Sequence, residues 1–353
     1  MKKIILTGGG TAGHVMPNLA LVPALREAGF EIKYIGSKKG MEKGIIENAG
    51  IPYFGIASGK LRRYLSPKNL VDPFKVMKGY LDAKRVIKRE QPDIIFSKGG
   101  FVTVPVVFAA NRFGIPVIIH ESDMTPGLAN KLASKKATKI CYSFPETEKY
   151  LEGKGVHTGS PIRQELFEGE PSVAKEKCRF NDEKPIILVT GGSLGAENVN
   201  KVVRKSLDEL LKDFQIAHLC GRDKVDHEYD GIEGYAQFEV ATDDMKDFFA
   251  MADLIISRAG SNSIFEIISL NKPNILIPLP AASSRGDQIL NAESFKKQGF
   301  SEVLEDDPEN SKGLVDMVHQ VFENKDKYIK AMSDASTHNG VDGIMDVISK
   351  LTK

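Results

Sequence analysis

The sequence predicts an α/β protein made of two doubly wound domains in tandem. Apolar strand-like runs alternate with amphipathic helical stretches, as in Lys2–Leu6 followed by Pro17–Gly29, and this alternation is typical of a parallel sheet covered by helices on both faces. The chain of 353 residues is long enough for two domains of roughly 100 to 200 residues each. Both halves also contain a strand that ends in Thr-Gly-Gly.

A longer internal repeat supports the division into two domains. The segments that begin at Asp93 and Asp253 both run from an apolar strand through a basic residue and a glycine turn to a helix, a proline and a second strand. Between the halves, a stretch that contains several glycines and prolines has no clear hydrophobic period. We therefore expect domains at 1–163 and 164–335, followed by a C-terminal helix at 336–353. Because ligands of open α/β sheets bind at the carboxyl ends of the strands, we expect the glycine turns of both domains to line one cleft.

Composition excludes several classes of protein. The chain is 41% hydrophobic and 27% charged, and no apolar run reaches the roughly 18 to 20 residues of a membrane span. No signal-peptide pattern precedes the first strand, so we expect a cytosolic location. The formal net charge of +1 gives no case for nucleic acid. The scattered cysteines, Cys141, Cys178 and Cys220, predict buried reduced thiols and neither a disulfide nor a zinc site.

The first glycine turn satisfies the dinucleotide pattern G-x-G-x-x-G through three residues, Gly8, Gly10 and Gly13. That reading also requires an acidic residue at the end of the second strand, which instead carries Ser37, Lys38 and Lys39. An enzyme that uses a phosphorylated nicotinamide cofactor, such as an NADP-dependent oxidoreductase, stays an alternative, as does a turn that only packs strand against helix. His14 follows the glycines at an expected helix start, where the dipole would favour a neutral imidazole that acts as a base.

The second domain carries residue types suited to a nucleotide sugar. Ser193 and Gly195 follow its first strand, and the helix expected from Ser261 offers backbone N–H groups to phosphates. Glu266, farther along that helix, suits the two hydroxyls of a ribose. A later cluster supplies the planar amides and carboxylates that sugar hydroxyls need, namely Asp287, Gln288 and Asn291.

Several motifs, in the same order in both domains, together resemble one family. They are GGGTAGHVMPNLAL, KGGFVTVP, HESDMTPGLANKLAS, TGSPIR, TGGSLGA, SRAGSNSIFE and SSRGDQILNA. They resemble the undecaprenyldiphospho-muramoylpentapeptide β-N-acetylglucosaminyltransferases of peptidoglycan synthesis. The resemblance implies a GT-B fold whose C-terminal helix packs on the N-terminal domain. It also implies transfer of GlcNAc from UDP-GlcNAc to the 4-hydroxyl of the MurNAc-pentapeptide of lipid I, with inversion and without a metal or cofactor.

The resemblance also implies roles for individual residues. Contacts to UDP-GlcNAc would come from Arg163, Ser193, Thr242, Ser261, Asn262, Ser263, Glu266 and Gln288. The turn of Thr11, Ala12 and Gly13 would approach the transferred sugar, and the acceptor diphosphate would meet Gly9, Gly10, Gly99 and Gly100. The candidates for the base are His14, His120 and Glu121. The chain departs from the family pattern at Ala12, where glycine is usual, and at Ser122-Asp123, where Gln-Asn is usual.

A basic amphipathic stretch from Gly59 to Glu90 predicts contact with an anionic membrane surface, chiefly over Lys60–Phe74. With a polyprenyl-linked acceptor implied, we expect peripheral binding at the cytoplasmic face of the plasma membrane. A UDP-GlcNAc 2-epimerase or a glycolipid synthase of the same fold stays an alternative to the peptidoglycan enzyme.

Overall fold

The computed structural model describes residues 1–59, 72–192, 195–241, 244–282, 286–335 and 339–352. The chain divides into two compact units: unit 1 comprises Met1–Arg163 and Asn339–Lys353, and unit 2 comprises Gln164–His338. The functional roles assigned above to the domains remain predictions.

Unit 1 is built on a parallel sheet. Among its described residues the strands are β1 (Lys2–Thr7), β2 (Phe30–Ser37), β3 (Tyr53–Ile56), β4 (Ile94–Ser97), β5 (Val117–Glu121), β6 (Lys139–Tyr142) and β7 (Gly155–His157). Their order is β3-β2-β1-β4-β5-β6-β7. The strand order reverses between β1 and β4, and that is where ligands of doubly wound sheets bind.

Helices cover both faces of this sheet. They are α1 (Met16–Ala20), α2 (Val22–Glu27), α3 (Glu42–Asn48), α4 (Asp72–Glu90), α5 (Thr103–Arg112) and α6 (Leu128–Ser134). Successive strand residues point to opposite faces, so Ile4 packs in the cluster that contains Leu25 of α2, whereas Ile5 packs in the cluster that contains Val106 of α5. The strands are therefore apolar on both sides, which explains their continuous Ile and Val runs.

Unit 2 repeats the plan. Its described strands are β8 (Ile186–Thr190), β9 (Gln215–Leu219), β10 (Tyr235–Phe238), β11 (Leu254–Ser257), β12 (Asn274–Leu276) and β13 (Glu302–Val303), in the order β10-β9-β8-β11-β12-β13. The helices are α7 (Pro171–Cys178), α8 (Glu197–Lys205), α9 (Leu207–Leu210), α10 (Met245–Met251), α11 (Ser261–Ser269), α12 (Asp287–Lys297), α13 (Ser311–Glu323) and α14 (Lys325–Asp334). The switch point lies between β8 and β11.

The last helix, α15 (Val341–Leu351), completes the core of unit 1. Ile344 and Ile348 are fully buried among side chains of the sheet. The backbone N–H of Gly340 donates to the carbonyl of Ser160 over 2.8 Å, and this fastens the helix start to the same unit. The prediction of two Rossmann-like domains with a returning C-terminal helix is confirmed.

Two further predictions can be compared with the described residues. All three cysteines are buried and free of disulfides, as expected from their scatter. None of the described helices combines the length and apolar character needed to cross a bilayer.

Candidate active site loops

The turn after β1 differs from the expected helix start. The backbone N–H groups of His14 and Val15 donate to residues three positions earlier, Thr11 and Ala12, over 3.1 and 2.9 Å. These bonds form a 3₁₀ turn over Ala12–His14, and α1 begins only at Met16. The expectation of a helix start at His14 is therefore wrong. Because α1 has five residues, the argument from a helix dipole at His14 loses its basis.

A carboxylate does lie at the end of β2, but it comes from the following helix and not from the residues that directly follow the strand. Glu42 of α3 is fully buried and accepts hydrogen bonds from the backbone N–H and hydroxyl of Ser37 over 2.9 and 2.6 Å. It also accepts a longer one, of 3.4 Å, from the N–H of Gly10. The carboxylate therefore supports the glycine turn from inside and cannot bind a ribose. This geometry disfavours the dinucleotide alternative.

A second glycine turn, after β4, contacts the first. Gly99 and Gly100 have φ of +106° and +90°, a region that side chains rarely adopt. A Cβ built on Gly100 would lie 2.3 Å from the carbonyl oxygen of Gly9, so only glycine permits this approach. The structure therefore brings three predicted acceptor-side residues, Gly9, Gly99 and Gly100, together within unit 1.

His14 lies beside this second turn. A Cβ on Gly99 would be 3.5 Å from the Cδ2 atom of His14. The Nδ1 atom of His14 lies 3.1 Å from the hydroxyl of Thr11, and a tautomer whose Nδ1–H donates to Thr11 presents Nε2 as a proton acceptor. The side-chain amide of Asn18 donates to the carbonyl of His14 over 3.3 Å. The ring and the backbone of His14 are thus both held.

Glu121, at the end of β5, is buried and hydrogen-bonded to the loop that follows this strand. It is 4% exposed and accepts hydrogen bonds from the backbone N–H groups of Asp123 and Gly127, both over 3.0 Å, and from the amide of Asn130 over 2.9 Å. Burial raises the pKa of Glu121, and the neighbouring charge of Asp123 adds to that rise. These contacts hold the loop that follows β5.

His120 is fully buried in the same strand. Its Nε2 atom lies 3.0 Å from the carbonyl oxygen of Gly159, and because a carbonyl only accepts, Nε2 carries the proton. Burial, and then the charge of Lys98, lower the pKa of His120 well below its usual value. This imidazole is therefore neutral and away from solvent.

The glycine turn of unit 2 has the same kind of close backbone contact. Gly195 has a φ of +67°, and a Cβ on it would lie 2.1 Å from the carbonyl oxygen of Cys220. Its N–H donates to the carbonyl of Gly192 over 2.8 Å. Ser193, which was predicted to bind phosphate, lies outside the described residues, as does Thr242.

The other predicted donor residues follow β11 and β12. Helix α11 begins at Ser261 after Gly260, so the N–H groups of Ser261, Asn262 and Ser263 belong to its first turn and have no earlier helical acceptor. Glu266 lies in the next turn and is half-buried. The side chain of Gln288 accepts a hydrogen bond from the N–H of Leu279 over 3.0 Å, which holds α12 against the loop after β12.

Two further predicted residues have different surroundings. Asn291 is fully buried, with its amide 3.4 Å from the carbonyl oxygen of Ala259, so it lies beneath the loop. Arg163, the last residue of the first segment of unit 1, is half-buried next to Ile162, whose N–H donates to the side chain of Asn339 over 3.1 Å.

A buried ion pair that the sequence analysis missed joins the loops of unit 2. The guanidinium of Arg258, directly after β11, lies 2.9 Å from the carboxylate of Asp306, with side chains 11% and 5% exposed. Arg258 also donates to the carbonyl of Ile277 over 3.0 Å, and Asp306 accepts from Asn198 of α8 over 3.2 Å. The pair thus connects segments that follow β8, β11, β12 and β13.

We predict that Arg258→Met lowers the free energy of unfolding by about 3–5 kcal/mol, because it leaves the carboxylate of Asp306 buried without its partner. The double variant with Asp306→Leu should recover most of that loss. Lys205→Met, which removes one member of an exposed pair with Glu309, should change stability by less than about 1 kcal/mol. Urea unfolding measures all three, and equal effects of Arg258→Met and Lys205→Met would contradict the assignment.

Comparison with known proteins agrees with this architecture. Residues 4–142 match the model of the glycosyltransferase family 28 N-terminal domain, and residues 186–348 match that of the C-terminal domain. Proteins named UDP-N-acetylglucosamine–N-acetylmuramyl-(pentapeptide) pyrophosphoryl-undecaprenol N-acetylglucosamine transferase are 58% identical in Lachnospira eligens and 56% in Clostridium botulinum strain Hall, each with 100% of both chains covered.

A solved structure gives the same result for the fold. The crystal structure of Acinetobacter baumannii MurG aligns with a TM-score of 0.77 and 27% identity, covering 99% of this chain and 100% of its own. The family resemblance predicted from the motifs is confirmed. The chain belongs to glycosyltransferase family 28, in the same family as these full-length N-acetylglucosamine transferases.

Proposed function

We propose that the protein transfers GlcNAc from UDP-GlcNAc to the 4-hydroxyl of the MurNAc-pentapeptide of lipid I, which gives lipid II. Relatives 53–58% identical over nearly the whole chain carry the name of this transferase. The structural observation that carries the proposal is the place of His14, a half-buried imidazole held beside the second glycine turn of unit 1.

His14 is the best candidate for the general base. Among the three candidates, Glu121 uses its carboxylate to hold a loop, and His120 is fully buried. His14 is the candidate that combines partial exposure with a place beside the second glycine turn of unit 1. Histidine is the side chain that most often serves as a general base toward a hydroxyl.

The reaction is then a single displacement at the anomeric carbon. Nε2 of His14 accepts the proton of the acceptor hydroxyl as its oxygen bonds to C1 of GlcNAc. The bond from C1 to the phosphate oxygen breaks, and UDP leaves with the electron pair. Attack opposite the leaving group inverts the configuration at C1. Thr11, Ala12 and Gly13 would lie along the transferred sugar.

The donor would be held by unit 2. The N–H groups of Ser261, Asn262 and Ser263 at the start of α11 suit a diphosphate and stabilise the negative charge that develops on departing UDP. In this proposal Glu266 binds the ribose hydroxyls and Gln288 the sugar hydroxyls. Ser193 and Thr242 complete the phosphate and uracil contacts, and Arg163 contributes a positive charge to the nucleotide.

Release of UDP from UDP-GlcNAc, measured with and without a lipid I analogue, tests the function. We expect release only when the acceptor is present, with GlcNAc recovered on the analogue. A 2-epimerase would act on UDP-GlcNAc without the acceptor. Release that ignores the acceptor, or that occurs only with another nucleotide sugar, would overturn the proposal.

His14→Ala should lower kcat by a factor of about 10² to 10⁴, the usual contribution of a general base, while the Kd for UDP-GlcNAc changes little. His227→Ala is a matched control because His227 is an exposed histidine of unit 2, and it should leave kcat unchanged. Steady-state kinetics and titration calorimetry measure the two quantities. A His14→Ala enzyme with normal kcat would show that another group is the base.

Membrane association is part of the proposal and rests on α4. Residues 60–71 of the predicted membrane segment lie outside the described residues, but α4 follows directly. Three of its large apolar side chains, Phe74, Met77 and Leu81, are 78%, 60% and 46% exposed. Their spacing of three and four residues places them along one stripe of the helix, and the same helix carries several lysines and arginines.

An exposed apolar stripe on a basic helix matches the chemistry of an anionic membrane surface. We infer that this surface holds the enzyme peripherally at the cytoplasmic face, where a lipid-linked acceptor is accessible. The opposite side of α4, which includes Ala83 and Ile87, is buried in the core of unit 1. One side of α4 therefore packs in the core of unit 1, and the other side exposes its apolar stripe.

Replacing Phe74, Met77 and Leu81 together by Ser should lower the partition coefficient onto phosphatidylglycerol vesicles on the order of 100-fold, because their apolar surface no longer leaves water. A control variant carries Ser at three exposed apolar positions of unit 2, Phe167, Val173 and Ile232, and should bind as the unchanged protein does. Vesicle flotation provides the measurement. Equal binding by both variants would show that α4 does not face the membrane.

A further inference from the structure

Lys98 is a buried lysine that the mechanism above does not use. It is the first residue after β4 and is 1% exposed. Its Nζ atom has no hydrogen-bond partner in the part of the chain that the structure describes. Burial of an ammonium without a partner strongly disfavours the folded state, so a lysine at such a position needs an explanation beyond stability.

His120 of the adjacent strand lies near Lys98, whose charge lowers the pKa of His120 after the larger effect of burial. β4 and β5 are parallel with Ser97 opposite Ile119, so continuing this register by one residue places Lys98 opposite His120. Because Nε2 of His120 donates to Gly159, its Nδ1 atom holds a lone pair, and that atom also lacks a hydrogen-bond partner among the described residues. A hydrogen-bond donor, Nζ of Lys98, and an acceptor, Nδ1 of His120, thus lie near each other, and neither has a hydrogen-bond partner among the described residues.

The two acidic groups near Lys98 do not form hydrogen bonds with its ammonium. Glu121 and Asp123 interact with Lys98 through charge and oppose the effect of burial, which lowers the pKa of Lys98 to about 8. The carboxylate of Glu121 is already hydrogen-bonded by two backbone N–H groups and by Asn130. The N–H groups of Lys98 are therefore not used to hold this loop.

The position of Lys98 in the chain connects it to the glycine turns. It directly precedes Gly99 and Gly100, of which the first lies beside His14 and the second backs onto Gly9. Lys98 is therefore the chain neighbour of the turn to which the family resemblance assigns the acceptor diphosphate. In a buried site of low dielectric, a charge acts over several ångströms with little screening.

We propose that Lys98 is a positioning residue that attracts the diphosphate of the acceptor to the glycine turns of unit 1, with His120 as a neutral neighbour. This inference rests on the proposed function. It concerns the acceptor alone, and Lys98 acts across the backbone of Gly99 and Gly100 rather than by direct contact. Lys98 would thereby favour an acceptor that carries a diphosphate.

The test uses the full chain with Lys98→Met, which replaces the ammonium by an unbranched apolar side chain. We expect KM for the lipid I analogue to rise on the order of tenfold, as loss of one favourable charge interaction predicts. KM for UDP-GlcNAc and kcat should stay within about twofold of the unchanged enzyme. The free energy of unfolding should stay equal or rise, because the unpaired buried charge is gone.

Two comparisons sharpen the test. Lys39→Met removes an exposed charge just beyond β2, in the same unit, and should leave KM for the lipid I analogue unchanged. The effect of Lys98→Met should persist in 0.5 M salt, at which the Debye length is only about 4–5 Å, because a buried charge is little screened. Both comparisons separate the buried charge from the general basicity of the surface.

An unchanged KM for the lipid I analogue in Lys98→Met would overturn the inference, as would an equal rise in KM for UDP-GlcNAc. Loss of folding in this variant would also overturn it, since it would mean that the ammonium is needed by the core. If the unchanged enzyme itself fails to transfer GlcNAc to the analogue, the proposed function fails instead, so the two failures are distinguishable.

Discussion

The architecture of unit 1 depends on a contact between two stretches of backbone that carry no side chains. Gly100 approaches the carbonyl of Gly9 so closely that a Cβ would lie 2.3 Å from its oxygen. Because both turns follow strands at the switch point of the sheet, this contact determines the distance between them. It also sets His14, which follows the first turn, beside Gly99 of the second. Unit 2 has the same kind of close backbone contact, in which Gly195 approaches the carbonyl of Cys220.

Polar side chains behind the turns make this arrangement rigid. Glu42 accepts from Ser37 and Gly10, Tyr34 donates to the carbonyl of Gly8 over 2.9 Å, and Glu121 receives three hydrogen bonds. Each satisfies backbone or amide groups that would otherwise be buried without partners. These acidic residues thus stabilise the loops that follow the strands of unit 1.

The fold could be predicted because its signals are local. Alternating apolar strands and helices, and the repeat that begins at Asp93 and Asp253, were sufficient for two doubly wound domains. The site was only partly predictable: the convergence of Gly9, Gly99, Gly100 and His14 follows from the rule that ligands bind at strand ends. The 3₁₀ turn over Ala12–His14 did not follow, because helical propensity does not distinguish it from an α-helical start.

Three important side chains were missed for a common physical reason. Glu42 belongs to a helix after β2 rather than to the strand end, and its role appears only when α3 packs against the first turn. Arg258 was noted only as a basic residue of the repeat, since its partner Asp306 is distant in sequence. Lys98 was noted in the same way, and nothing in the sequence distinguishes a buried lysine from an exposed one.

The most direct test of this account is Gly100→Ala, with transfer to a lipid I analogue and binding of UDP measured on the same preparation. The added methyl group would collide with Gly9 at a φ of +90°, so the account predicts loss of transfer by at least about 10²-fold, the lower range for loss of an aligned base. It also predicts an unchanged Kd for UDP, because the residues proposed to bind its diphosphate, ribose and uracil belong to unit 2. Normal transfer by Gly100→Ala, or an equal loss of UDP binding, would contradict it.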